Sequence, residues 1–215
     1  EQPVKEEHVK VKGIYVSGWI AGTKERFDEL VKMVETTELN SMVIDVKEDK
    51  GNITCPSEVP LVKEIDASIN MVGDIKKVLA TLKEKNIYPI ARIVCFKDPL
   101  ASGRQPDLAI KAKDGSLWRD NKGNTWLNPY NKESWEYLLD ISKEAAKLGF
   151  RDIQYDYVRF PTDGNIKTID YGEAENSKTK SQVIAEFLAY AKKELSPLGV
   201  NVSADIFGIV PVVEG

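Results

Sequence analysis

The stretch Gly149-Phe150-Arg151-Asp152-Ile153-Gln154-Tyr155-Asp156-Tyr157-Val158-Arg159 decides the fold. Its glycine ends a helical pattern in which Asn131 caps a run carrying Trp135, Leu138, Leu139 and Ala146. The residues after that glycine are strand-like, because β-branched and aromatic residues alternate with polar ones. Successive side chains of a strand point to opposite faces, so Ile153, Tyr155 and Tyr157 share one face while Gln154 and Asp156 share the other. A helix leading straight into such a strand is the repeating unit of a parallel sheet.

Working outward, the same alternation covers the chain. A helix carrying Val183, Ile184, Phe187, Leu188 and Leu195, closed by Ser196-Pro197-Leu198-Gly199, leads to a fifth strand over residues 200–207. Upstream, strands are expected over residues 11–18, 41–46 and 87–96, with the fourth over 152–159. Between them lie a helix from Thr23, with Phe27, Leu30, Val31 and Val34 on one face, and another through Val72, Ile75, Val78, Leu79 and Leu82 that stops at Asn86. Residues 97–130 form a long loop whose Trp118 and Trp126 mark it as ordered. Two α/β architectures fit: a (β/α)8 TIM-type barrel, of which this chain covers about the first five βα units, or an open doubly wound parallel sheet. Residues 1–10 are expected to be a disordered or extended lead-in, and 11–215 one barrel domain, incomplete at its C-terminus.

Composition narrows the function. A chain of 215 residues suits a single core. No apolar run approaches the ~18 residues of a membrane span. The formal charge of −4, with acids and bases interspersed, gives no basic footprint for nucleic acid. Cys55 and Cys95 make no metal-knuckle or redox motif and read as two buried free thiols rather than a disulfide. His8, the one histidine, lies in the lead-in, which argues against Ser-His-Asp and Cys-His catalysis and against histidine zinc sites. Chemistry is left to carboxylates, Lys, Arg, Tyr or a carboxylate-bound metal. No Walker loop, Rossmann glycine fingerprint or EF-hand is present.

The polar parity locates a site. In the fifth strand Asn201, Ser203 and Asp205 share a face opposite Val200, Val202, Ala204 and Ile206. Asp45 and Lys47 oppose Met42, Ile44 and Val46; Arg92 stands alone in an apolar strand; Tyr15 pairs with Ser17. Most lie toward C-terminal strand ends, the edge at which barrels and open α/β sheets bind ligands. The plain structural alternative is a set of lumen salt bridges, such as Arg92 with Asp45 or Asp156. Two carboxyl groups on neighbouring strand ends suit glycoside hydrolysis, in which one protonates the leaving oxygen and the other acts as nucleophile or base. Asp156 and Asp205 are the catalytic candidates, with no cofactor or metal required. Tyr15, Trp19, Asp45, Lys47, Arg92, Trp126, Gln154 and Arg159 are candidates for holding a carbohydrate substrate, Trp19 and Trp126 by stacking on sugar faces.

The segments Asn128-Pro129-Tyr130, Asp156-Tyr157-Val158-Arg159-Phe160-Pro161 and Ser203-Ala204-Asp205-Ile206-Phe207-Gly208 carry a resemblance, joined by the opening Lys12-Gly13-Ile14-Tyr15-Val16-Ser17-Gly18-Trp19 and the loop from Trp118 to Trp126. The chain resembles the bacterial glycosyl hydrolases labelled domain of unknown function 4015, which stand among TIM-barrel glycosidases. The resemblance implies the barrel rather than the open sheet, three further βα units in the natural protein, and secretion or a cell-surface location. It implies a glycoside hydrolase acting on a polysaccharide or cell-wall glycan, with Asp156 as nucleophile or base. The acid in many such barrels is a glutamate from another strand end, where this chain offers Asp205. The rival readings are a non-catalytic glycan-binding barrel and a divalent-metal-dependent lyase or isomerase using Asp45, Asp156 and Asp205. An open barrel edge after the fifth strand is expected to favour self-association.

Overall fold

Strands β1 (Gly13–Val16), β2 (Ser41–Lys47), β3 (Tyr88–Val94), β4 (Asp152–Asp156) and β5 (Asn201–Ala204) pair in parallel, in the order in which the chain makes them. The computed structural model that shows this describes residues 10–206. Each crossover carries a helix: α1 (Lys24–Glu35), α2 (Ile75–Glu84), α3 (Lys132–Leu148) and α4 (Lys180–Leu195). A doubly wound sheet reverses its strand order at a switch point, whereas a barrel keeps winding in one direction. The unreversed order is that of the barrel, and the open-sheet alternative falls. Strands β1 and β5 are the two edges of this sheet.

The helices form where the apolar period is 3.6 and local chemistry fixes their ends. Asp74 accepts from the Lys77 N–H at the start of α2, and Asn131 from the Glu133 N–H at the start of α3. Thr179 and Gln182 close a capping box on α4. Gly149 ends α3 with φ +117°, a conformation that costs other residues a steric clash. The apolar stripes bury Phe27, Val31 and Val34 of α1, Ile75, Val78, Leu79 and Leu82 of α2, and Leu138, Leu139 and Ile141 of α3. Phe187 of α4 is fully buried with edge-on or tilted contacts to Phe96, Trp135 and Tyr155. Burying a side chain of that size contributes roughly 1.5–3 kcal/mol relative to leaving it in water.

Strands β1, β3 and β4 are shorter than their periodicity suggests, while β2 runs one residue further, to Lys47. The first stops at Val16, because Ser17 caps a helical turn over Gly18–Gly22. The fourth stops at Asp156 rather than residue 159, because Tyr157 turns to φ +48°. The fifth is defined over Asn201–Ala204, and the expected end at Phe207 lies outside the described residues. The long loop is ordered: Asp98 caps a helical turn at Pro99–Arg104, and residues 111–112 pair antiparallel with 169–170. Cys55 and Cys95 are free and buried.

Candidate functional site

Register brings the polar residues of four strands into one row. Asp45 of β2 lies beside Arg92 of β3, Arg92 beside Gln154 of β4, and Gln154 beside Ser203 of β5. Asp156 ends β4, and Asp205 comes just after β5, its N–H donating to the Tyr155 carbonyl at 2.9 Å. The alternation of strand side chains then points this row to the sheet face away from the helices.

Arg92 organises the row. Its Nη1 donates to Asp45 Oδ1 at 2.8 Å, its Nε and Nη2 to Asp156 Oδ2 at 3.0 and 2.5 Å, and its Nη2 also to Asp49 Oδ1 at 3.0 Å. The Tyr15 hydroxyl donates to the other oxygen of Asp45 at 2.5 Å. Burial pushes the Asp45 carboxyl above the usual aspartate range, against the downward pull of the bonds from Tyr15 and Arg92. Burial likewise works against the charge of Arg92, but Asp45 and Asp156 overcome it and hold the guanidinium ionised. Burial and the bond to Asp45 raise the Tyr15 hydroxyl, which stays a donor. The lumen salt bridges expected as the plain alternative are therefore present, on both Asp45 and Asp156.

The pair Asp156 and Asp205 differs in surroundings. Both oxygens of Asp156 are occupied, Oδ2 by Arg92 and Oδ1 by the Tyr157 N–H at 2.7 Å. Asp205 is exposed and accepts at Oδ1 from Gln154 Nε2 at 2.6 Å. Partial burial of its carboxyl and then the negative charge of Asp156 push its pKa up, against Gln154 and Arg92. The two aspartates line one cavity of about 350 Å³, walled by Tyr157 and Arg159 on the polar side and by Ile184, Leu188 and Ile206 on the apolar side. A second, open cavity of about 560 Å³ adjoins it, lined by Tyr15, Asp49, Arg92, Gln154 and Asp205. Among the described residues no three His, Cys, Asp or Glu side chains are grouped to hold a metal ion, which leaves the metal-dependent alternative without a donor set there.

Three expected substrate-holding residues sit elsewhere. Lys47 is fully buried, its ammonium bonded to the Val94 carbonyl at 2.7 Å and paired with Asp98 at 2.8 Å. A register shift between Asp45 and Lys47 breaks the period of two, so Lys47 no longer shares the face of Asp45. It points to the helix layer, 6.0 Å from the Tyr137 ring centroid. Trp126 is only 2% exposed, with its indole N–H donating to Asp120 at 3.1 Å, and its ring packs against Arg159 and Tyr157 rather than opening to a ligand. Trp19 is exposed on the helical turn after β1 and lines neither cavity. Asp49 and Tyr157 belong to the site, although sequence reasoning does not single them out. Asp49 hides in the turn-like Lys47-Glu48-Asp49-Lys50-Gly51, and Tyr157 falls on the apolar parity of its strand.

Among known families, residues 13–214 match the model of DUF4015, described as a putative glycosyl hydrolase domain. A comparison with curated proteins yields no match. Among solved structures, a hypothetical protein from Ruminiclostridium thermocellum is similar over 92% of this chain and 99% of its own, at 45% identity and a TM-score of 0.84. The α-galactosidase TtGalA from Thermus thermophilus is similar over 88% of this chain, at 14% identity and a TM-score of 0.58. A glycoside hydrolase family 20 β-N-acetylglucosaminidase is similar over 91% of this chain, at 11% identity and a TM-score of 0.62. The chain spans 37% and 43% of those two enzymes' lengths. At such identities the likeness is one of fold.

Proposed function

The chain belongs to the DUF4015 family of putative glycosyl hydrolase domains, and we propose that its strand-end carboxylates cleave a glycosidic bond in a polysaccharide or cell-wall glycan. In this reading Asp205 donates its proton to the leaving oxygen as the bond from the anomeric carbon breaks. Asp156 acts on the opposite side, as nucleophile or as the base that deprotonates water; water finally supplies the hydroxyl on the sugar and the proton returned to Asp205. The observation that carries it is one cavity lined by two carboxyl groups in contrasting surroundings. Asp205 has its pKa raised, as a proton donor requires, while Asp156 accepts hydrogen bonds at both oxygens. Asp45, Asp49 and Tyr15 hold Arg92 in place, and Gln154 orients Asp205.

One observation favours a second reading, a barrel that binds glycans without cleaving them: Arg92 already engages Asp156 through two nitrogens. Both readings are separated by incubating the full chain with a panel of polysaccharides, cell-wall preparations and aryl glycosides and measuring new reducing ends. Hydrolysis is expected from the wild type. Asp205→Asn should lower kcat by roughly 10²–10⁴-fold, least for aryl glycosides whose leaving groups need no proton. Asp156→Asn should abolish turnover while retaining affinity. Glycan binding with no release of reducing ends, unaltered by either substitution, would leave the binding reading standing.

A further inference from the structure

Immediately after Asp156 the backbone adopts a conformation that its side chain disfavours. Tyr157 has φ +48°, in the left-handed region where a bulky residue crowds the backbone. The other described non-glycine residues with positive φ are Asp66 and Asn86, types that tolerate it. Strain of this kind persists only where the surroundings over-determine it. The Tyr157 N–H bond to Asp156 is part of the explanation, but a glycine would supply the same N–H without strain.

The ring supplies the rest. Lys97 Nζ lies 4.5 Å from its centroid and the Arg159 guanidinium carbon 5.1 Å from it. Arg159 is also 5.2 Å from the Trp126 ring, which meets Tyr157 edge-on at 6.1 Å. The three cation distances lie within the ~6 Å over which a cation is held by an aromatic face. Tyr157 and Arg159 line the cavity that contains Asp156 and Asp205.

We propose that Tyr157 is a positioning residue: its ring, next in the chain to Asp156, is the platform that holds the cations of Lys97 and Arg159, which orient the oxygens of a bound sugar. The platform itself is independent of the glycosidase reading; its effect on turnover rests on that reading. The left-handed turn is what brings a residue of the apolar parity round to the site.

The test uses the full chain with Tyr157→Gly and Tyr157→Phe. Lysines are reductively ¹³C-methylated and the Lys97 signal, assigned with Lys97→Arg, is followed by NMR. In the wild type and Tyr157→Phe the ring current should shift Lys97 upfield; in Tyr157→Gly the shift should vanish. On a substrate that the wild type cleaves, Tyr157→Gly should lose roughly tenfold to a hundredfold in kcat/KM, as expected for misplaced groups, mostly in kcat. Tyr157→Phe should restore most of it, because it keeps the ring and loses only the long 3.5 Å hydrogen bond that Lys97 Nζ donates to the Tyr157 hydroxyl. An unshifted Lys97 in the wild type, a folded Tyr157→Gly of undiminished kcat/KM, or a Tyr157→Phe as impaired as the glycine variant would each overturn the proposal. A shifted Lys97 in a protein that cleaves no glycan would uphold the platform and refute the hydrolase reading alone. Should Tyr157→Gly fail to fold, Lys97→Met gives the same kinetic comparison: a kcat/KM unchanged from wild type counts against the proposal, and a fall carried by kcat supports it.

Discussion

Replacing Arg92 by methionine removes the partner of three carboxylates at once, and the structure indicates what each is worth. The Asp49 side chain is 49% exposed, so its pair contributes about 0–1 kcal/mol. Asp45 is 4% exposed and Asp156 23%, so losing Arg92 strands one carboxylate fully and another largely out of water. Breaking a buried pair on one side typically costs about 3–5 kcal/mol, and that is the deficit expected for Arg92→Met at neutral pH. Its pH dependence is the sharper part. Burial already raises the Asp45 carboxyl, and Arg92 is one of the groups pulling it down, so without Arg92 it rises further. A raised pKa in the folded state means that the folded chain holds the proton more tightly than the unfolded chain. The contribution of such a group is fully present below the unfolded pKa and is lost as pH rises through the folded one. The deficit of Arg92→Met should therefore be larger near pH 7 than at about pH 4, because Asp45, raised above the usual aspartate range, takes up its proton as the pH falls between the two. Urea unfolding of both proteins at the two pH values measures this. A deficit under about 1 kcal/mol at neutral pH, or one of equal size at both, would refute the reasoning.

Lys47→Met should cost about 3–5 kcal/mol in urea unfolding, because it strands the fully buried Asp98. The double variant Lys47→Met/Asp98→Leu should recover part of that, short of the ~1 kcal/mol that Asp98 contributes as cap to Ala101; strictly additive losses would count against a coupled pair. Asp156→Asn removes the charge that helps raise Asp205, so the Asp205 carboxyl, followed by ¹³C NMR, should titrate at lower pH in the variant; an unmoved titration would mean that the two groups do not sense each other.

Much of the fold is legible in the sequence because the apolar periods are uninterrupted. The stripes of α1 and α2 and the cap at Asn131 are each readable from spacing alone. So is the shared face of Asp45, Arg92, Gln154 and Asp156, since period two survives between neighbouring strands. Lys47 shows where that reasoning ends: one extra residue in β2 turns the next side chain to the other layer, and nothing in Asp45-Val46-Lys47 announces a bulge. Tyr157 shows the converse, since its apolar parity predicts burial until a left-handed turn brings it to the cavity. The resting place of Trp126 depends on Asp120, which accepts hydrogen bonds from Asn124 and Trp126; that contact belongs to the folded loop rather than to a periodic element.

The unequal treatment of Asp156 and Asp205 stems from where the single arginine of this row sits. Arg92 lies on β3, in register with Asp45 on one side and Gln154 on the other, so its fork reaches Asp45 and Asp156 but makes no hydrogen bond to Asp205. A neutral amide takes the corresponding place beside Asp205, giving it one side-chain hydrogen bond and no ion pair among the described residues. Partial burial and then the repulsive charge of Asp156 dispose the Asp205 carboxyl to keep its proton. Exchanging that amide for a charge would undo the asymmetry. Gln154→Lys would set an ammonium against Asp205, lower its pKa and remove the proton that a leaving oxygen needs, while leaving the bonds between Arg92 and Asp156 in place. The proposed division of labour between acid and nucleophile thus depends on a neutral residue at position 154 as much as on the two aspartates.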